Sequence, residues 1–285
     1  MTRVIVTGAC GFIGSHLVPL LRTEGFHVEA IDVESGDITI SDTWSNLPAA
    51  DAVVHLAGNA FVPASWKDPA AFVHCNVVGT VQALEFCKKH KANLVFLSSY
   101  LYGNPESLPI RETAPIITPN PYALSKKLAE DVCRFYSSSF GLSIAILRPF
   151  NVFGPGQSDR FIIPSIIRQV LGGREVKVED LEPRRDYIYV RDLVLAIRKA
   201  LSSNAPLSIC NIGSGESYSV AEIIQMIQDA LGSHLPVHSG NSRRKDEIMN
   251  TIADVSAAAK LFGWAPKWSF AQGIRETITS IQKEV

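Results

Sequence analysis

The chain has 285 residues, 46% of them hydrophobic and 19% charged, and a formal net charge of −1. That is enough for one large domain, or one domain with a smaller appendage, around a sizeable core. Near-neutrality removes any bulk electrostatic case for nucleic acid or an anionic membrane, so neither is expected as a partner.

Strands are predicted at about 3–7, 27–31, 52–56, 93–98 and 143–148, alternating with helices at about 11–24, 70–90 and 122–140. Strands this apolar, separated by helices, imply a parallel sheet covered on both faces. Beyond residue 150 the chain turns to Pro/Gly-rich loops, with short strands near 175–178 and 208–212 and helices near 161–171, 191–202, 219–231 and 269–283. The expected fold is α/β: a Rossmann-type doubly wound parallel sheet over 1–150, receiving pieces from about 187–212. A smaller C-terminal substrate-binding α/β region over 151–285 follows it. Residues 33–50 admit two readings. Either Asp37-Ile38 ends a further strand beside an adenine pocket, with a crossover helix trimmed away, or the segment is an irregular loop with a displaced strand.

Cys10, Cys75, Cys87, Cys133 and Cys210 are odd in number, widely spaced and free of any C-x-x-C, so neither a disulfide frame nor a zinc site is expected. Cys75, Cys87 and Cys133 read as small core fillers. A first strand at residue 3 leaves no room for a signal peptide, and no apolar run is read as long enough to span a bilayer; a cytoplasmic protein is expected.

The strongest local signal follows the first strand: Thr7-Gly8-Ala9-Cys10-Gly11-Phe12-Ile13-Gly14, running into an amphipathic stretch. Strand, glycine turn and helix form a phosphate cradle. Gly8 permits the tight turn, Gly11 lets backbone approach a pyrophosphate, and Gly14 lets helix pack closely. The helix N-terminus adds unpaired N–H groups and a positive dipole end. Asp32 ends the next apolar run, where a carboxylate accepts from ribose hydroxyls and repels a 2′-phosphate; NAD is therefore the expected cofactor.

A second signal is the buried strand Leu94–Leu97, which delivers Ser98-Ser99-Tyr100-Leu101-Tyr102-Gly103 to the carboxyl end of the sheet. Tyr122 and Lys126 stand four apart on one face of a predicted helix. An ammonium beside a tyrosine favours the phenolate; lowering a tyrosine from about 10 to near 7 takes about 4 kcal/mol. Tyr122 is then an acid/base for a substrate hydroxyl or carbonyl, with a strand-end serine bonded to the same oxygen. Arg184-Arg185 and Arg243-Arg244-Lys245 read as anion sites. His55, Trp264 and Trp268 read as structural.

At this point the chain resembles the extended short-chain dehydrogenase/reductase family in its nucleotide-sugar branch. The matching stretches are Thr7–Leu17, Asp51–Gly58, Asn76–Thr80, Ser98–Gly103, Tyr122–Lys126, Leu147–Pro155, Arg185–Val190 and Leu261–Pro266. The resemblance implies Tyr122 as acid/base, Lys126 on the nicotinamide ribose and Ser98 as the catalytic hydroxyl, with Ser99 beside it toward substrate. It implies Asp32 on the adenosine ribose, Asp37 and Ile38 by the adenine, and Phe12, Ile13, Leu56, Ala57 and Pro149 along the cofactor. For a nucleotide-diphosphate sugar it implies Asn151, Arg185 and Arg244 at the diphosphate and Glu247 at the nucleoside ribose. It also implies a homodimer through the helices near 70–90 and 122–140, and a place in cell-surface polysaccharide biosynthesis.

Dehydratases of this branch resemble Thr-Asp-Glu-x-Tyr-Gly at the strand end, and related decarboxylases also carry a glutamate there. This chain has Ser98-Ser99-Tyr100 and no carboxylate. The reading favours a 4-epimerase of a nucleotide-diphosphate hexose, a UDP-sugar first, through a transient 4-keto intermediate. The alternative is an NAD(P)H-dependent reductase of a 4-keto-6-deoxysugar, because Gly154–Ser158 and Lys177–Asp186 look similar to GDP-4-keto-6-deoxymannose reductases. A 4,6-dehydratase or a non-catalytic NAD-binding protein ranks lower.

Overall fold

The computed structural model describes residues 2–203, 205–240 and 247–284. Its first half runs β1 (Arg3–Thr7), α1 (Gly14–Thr23), β2 (His27–Ile31), α2 (Ser41–Ser45), β3 (Ala52–His55), α3 (Val62–Ser65), α4 (Pro69–Val73), α5 (Gly79–His90), β4 (Asn93–Leu97), α6 (Pro121–Phe140) and β5 (Ile144–Pro149). The second half runs β6 (Asn151–Phe153), α7 (Ile162–Leu171), β7 (Val176–Val178), β8 (Arg184–Tyr189), α8 (Val190–Ala200), β9 (Leu207–Ile212), β10 (Ser217–Ser219), α9 (Val220–Leu231), β11 (Val237–Ser239), α10 (Ser256–Phe262) and α11 (Phe270–Gln282).

The main sheet is six-stranded, ordered β2-β1-β3-β4-β5-β9, and every pairing in it is parallel. β9 comes from the second half and closes the sheet beside β5, while α8 packs on α1. Alternate residues of β1 serve opposite cores. Val4 and Val6 face the cluster with Leu17, Leu21 and Ile197. Ile5 faces the cluster with Val53, Leu84 and Phe96. A strand buried on both faces has no polar alternation, which is why these runs read as continuously apolar. The C-terminal region adds a three-stranded sheet, β10-β8-β6, and a pair, β11-β7.

Residues 33–50 resolve as loop. Among the described residues no strand lies between β2 and β3; a 3₁₀ turn (Val33–Ser35) and α2 occupy the span. The chain must cross β1 to reach β3, a parallel crossover that consumes a dozen or more residues and leaves none for another strand. Trp44 anchors the loop: it is buried, and its indole N–H donates to Ile38 O at 2.8 Å.

The expected helix at 70–90 is α4, a π-helical turn (His74–Val78) and α5 in succession. By length and mean hydropathy (1.2) Pro69–His90 is one segment long and apolar enough to cross a bilayer, against the expectation that none exists. Its apolarity has a local use, because Phe72, Ala83, Leu84, Phe86 and Cys87 are buried in the fold.

His55 is buried at the end of β3, its ring stacked on Phe96 with centroids 6.1 Å apart. The Thr7 hydroxyl, which accepts from Ala57 N–H at 3.2 Å, meets His55 Nδ1 at 2.8 Å, and Nε2 has no partner. Burial, then the Lys126 charge, depress the imidazole to about 3. Between pH 6.5 and 3 the unfolded chain holds a proton on this ring that the folded chain refuses. Folding stability should therefore fall as pH drops through that window, by about 1.4 kcal/mol per pH unit for this group. Urea midpoints measured against pH should show a shallower acid limb in His55→Gln; parallel limbs would contradict the assignment.

Candidate active site

The glycine turn lies where the sheet order reverses, between the carboxyl ends of β1 and β3. Open α/β sheets bind ligands in that crevice. Gly8 has φ +69°, and a Cβ there would stand 2.9 Å from Ala57 N. A Cβ on Gly14 would stand 2.2 Å from Gly8 O. The first turn of α1 therefore rests directly on the loop, and α1 starts three residues later than predicted because residues 8–13 are spent on the turn. Gly11 N–H closes this turn on Gly8 O at 3.1 Å.

Asp32 ties the cradle to β2. Its Oδ2 accepts from Cys10 N–H at 2.7 Å and its Oδ1 from Val33 N–H at 2.8 Å. Each oxygen keeps a lone pair for a ribose hydroxyl. Asp37 is exposed and accepts from Thr39 N–H and Oγ1, each at 2.8 Å, which holds its carboxyl below the usual range. Ile38 turns its side chain into the core, where a Cβ on Gly79 would stand 2.6 Å from Ile38 Cδ1.

Below the cradle opens a cleft of about 540 Å³. Phe12, Ile13, Leu56 and Pro149 line it at the cradle side, Ser98, Ser99, Tyr122 and Lys126 line it centrally, and Asn151 and Arg185 line its far side. The glycines, Asp32, Asp37, Ile38, Ala57 and Glu247 stand outside that lining. Arg244 lies outside the described residues.

Pro121 opens α6 and Asn120 caps it, Oδ1 accepting from Ala123 N–H at 2.8 Å. One turn then carries Tyr122 and Lys126 on a shared face. Lys126 is buried, its Nζ 4.4 Å from the centroid of the Phe96 ring. Burial pulls its ammonium down to about 8, against the opposing pull of neighbouring groups such as Glu130. Burial pushes the Tyr122 phenol up, opposed by a hydrogen bond with the Ser99 side chain. The hydroxyl beside Tyr122 is thus that of Ser99, while Ser98 Oγ is buried without a partner. Consecutive residues leaving a strand point apart, so only one of the two serines can face α6.

α6 is held from beneath. Arg148 on β5 and Glu130 on α6 form a two-pronged ion pair, 2.8 Å from Nε to Oε1 and 2.6 Å from Nη2 to Oε2, both side chains buried to 1% exposure or less. Arg148 Nη1 also donates to the Tyr102 hydroxyl at 2.9 Å, which donates to Asn211 Oδ1 at 2.6 Å. α6, the strand-end segment and β9 share one polar network.

At the far side, Asn151 Nδ2 donates to Asp186 O at 3.1 Å. The Arg185 guanidinium pairs with Glu247 and donates to Ile248 O and, at 2.9 Å, to Arg184 O. Asp186 is not its partner. That carboxylate is buried and accepts from Ser214 N–H and Oγ, Gly215 N–H and Ala253 N–H at 2.7–3.0 Å. The lining also includes Tyr100, Gln157, Phe161 and Tyr187, which carry no charge and no catalytic spacing in the sequence.

A glycine cradle at the reversal point of a parallel sheet, with a half-buried tyrosine and a buried lysine beneath it, defines a dinucleotide-dependent oxidoreductase scaffold. The chain belongs to the NAD dependent epimerase/dehydratase family, whose model matches residues 4–213. It is 31% identical over 300 residues to the GDP-6-deoxy-D-mannose reductase of Pseudomonas aeruginosa, covering 99% of this chain and 98% of that protein. It is 30% identical over 320 residues to the UDP-glucose 4-epimerase of Halalkalibacterium halodurans, covering 99% and 96%. The UDP-glucose 4-epimerase of Thermotoga maritima, solved with UDP-glucose, superposes with a TM-score of 0.92 at 28% identity, covering 99% of each chain.

Gly8, Gly11 and Gly14 carry no side chain, which suits the cradle to the close backbone approach of the NAD pyrophosphate. Gly14→Ala forces a methyl onto Gly8 O and should weaken NAD binding at least about tenfold, a cost of about 1.4 kcal/mol. A titration giving unchanged affinity would contradict the cradle.

Proposed function

We propose that the protein is an NAD-dependent 4-epimerase of a nucleotide-diphosphate hexose, a UDP-sugar first, acting through a transient 4-keto sugar. One observation carries this reading: Tyr122, Lys126 and a strand-end serine converge in a single cleft between the cradle and Arg185, with no carboxylate at the strand end.

Gly8, Gly11, Gly14 and Asp32 would hold NAD, which would supply reversible two-electron oxidation of the sugar carbon. Lys126, one helical turn along α6 from Tyr122, would hold the nicotinamide ribose, and its charge would favour the Tyr122 phenolate. Desolvation pushes the Tyr122 phenol up, so it is protonated by default and positive charge nearby is what makes it a base. It takes the proton from the C4 hydroxyl, Ser99 holds that oxygen by a hydrogen bond, and Tyr122 returns the proton once the ketone has presented its other face. The far side of the cleft grips the rest of the molecule. Arg185, Asn151 and Arg244 take the diphosphate. Glu247 is freed from Arg185 when phosphate displaces it, and turns to the nucleoside ribose. Ser99 and Tyr100 cannot move protons at C5 and C6 as paired acids would, which disfavours dehydration.

A second reading is supported by the 31% identity to a GDP-6-deoxy-D-mannose reductase: net reduction of a 4-keto-6-deoxysugar in the same cleft. We further place the protein in the cytoplasm as a homodimer serving cell-surface polysaccharide synthesis. Unbridged cysteines and the exposed Phe135 and Phe140 on α6 are consistent with that setting.

Tyr122→Phe should lower kcat by about 10²–10⁴-fold while NAD affinity stays within about threefold. Turnover that survives the change would sink the reading. Wild-type protein given a nucleotide sugar should invert C4 without net loss of NAD; stoichiometric NADH consumption by a 4-keto sugar would move the assignment to the reductase.

A further inference from the structure

Two chain segments face each other across the cleft. One leaves β3 in the cradle half and supplies Asn59, Ala60 and Val62 to the wall. The other, residues 155–161 between β6 and α7, supplies Gln157 and Phe161. Phe161 lines the cleft and is also 40% exposed, which sets it at the rim. There its ring meets that of Phe61 edge-on, centroids 6.3 Å apart at 73°, and the Arg160 guanidinium lies 5.7 Å from the Phe61 centroid. Phe61 itself stands outside the lining. The start of the second segment is fixed to α1, where His16 Nε2 donates to Pro155 O at 2.8 Å. Gly156 follows, at φ +81° with nothing within 4 Å of where a Cβ would stand. Among the described residues no hydrogen bond or ion pair joins 157–161 to the cradle half. The Arg160 and Phe161 N–H groups both turn back to Ser158. The tip of the segment is held across the cleft by two rings and a guanidinium.

We propose that residues 155–161 form a strap across the cleft mouth, latched by Phe61, Phe161 and Arg160, whose release sets how fast a nucleotide sugar enters and leaves. The inference rests on the functional reading above only in taking a nucleotide sugar as the occupant. An edge-on aromatic pair with one cation–π contact keeps the strap down most of the time, yet thermal motion breaks it readily. Gly156, beside the anchored Pro155, supplies the backbone freedom on which the strap turns. Phe61 meets the strap and not the contents of the cleft, so the latch forms over an empty and a filled cleft alike. A contact of equal strength in both states leaves affinity unchanged. It slows association and dissociation by one common factor, because both wait for the same opening.

The test uses the full chain loaded with NAD and carrying Tyr122→Phe, so that binding is read without turnover. The ligand is whichever of UDP-, GDP- and dTDP-glucose it binds most tightly, and stopped-flow mixing gives the two rate constants. Adding Phe61→Ala should raise association and dissociation together by about tenfold and keep Kd within about threefold. Phe61→Tyr, which keeps the ring, should leave both rates within about twofold of the parent. Arg160→Gln, which removes the guanidinium alone, should raise both by about threefold. Rates unmoved by Phe61→Ala overturn the inference and leave the functional reading standing. So does a rise in dissociation alone, with Kd weakened in proportion, which would make Phe61 a wall of the site. Where Phe61→Ala does not fold, Arg160→Gln decides by the same criteria. Failure of all three sugars to bind overturns both.

Discussion

Everything in this molecule is placed by one close approach: the first turn of α1 lies against the carbonyl of Gly8. A Cβ on Gly14 would stand 2.2 Å from that oxygen, and one on Gly8 would stand 2.9 Å from the backbone of the segment after β3. Three backbone segments meet with no side chain between them, at the place where the sheet order reverses. The helix N-terminus is thereby aimed into the crevice, where its positive dipole end suits an anion. Asp32 locks the same turn from β2 through Cys10 N–H, so the carboxylate suited to ribose also fixes the shape of the cradle.

The second constraint fixes the reacting pair. Tyr122 and Lys126 are only as well placed as α6, and α6 is tied to β5 by the buried Glu130–Arg148 pair. A buried ion pair is weak evidence for stability, since removing both charges is often neutral. Removing one partner costs about 3–5 kcal/mol, so the pair strongly disfavours any shift of α6 that separates them. Because Arg148 also holds Tyr102, and Tyr102 holds Asn211 on β9, the strand-end serines and α6 keep a common frame. Lys126, buried over Phe96, adds a cation that titrates nearer neutrality than a free lysine.

The cradle and the Tyr122–Lys126 face were legible because each depends on local spacing: three glycines after a strand, and two residues one helical turn apart. The main sheet was legible because strands buried on both faces are unbroken apolar runs. Features set by long-range contact were not. Which of Ser98 and Ser99 meets Tyr122 depends on how the chain leaves β4. The pairing of Arg185 with Glu247 joins residues 62 apart, and the adjacent Asp186 offered a nearer partner that the fold uses elsewhere. β8 was missed because Arg184-Arg185-Asp186 is polar. It stands as a strand because β6 and β10 pair on its two sides. Tyr100 carried no signal, since an aromatic at a strand end usually belongs to the core.

In the proposed reaction, oxidation and reduction occur at one carbon, within one cleft, with Tyr122 handling only the proton on oxygen. The most direct measurement follows deuterium placed on C4 of the nucleotide sugar the enzyme turns over fastest, in ordinary water, by NMR of the product. The mechanism predicts an inverted sugar that keeps its deuterium on C4. Loss of the label to solvent, or a product unchanged at C4, would contradict it.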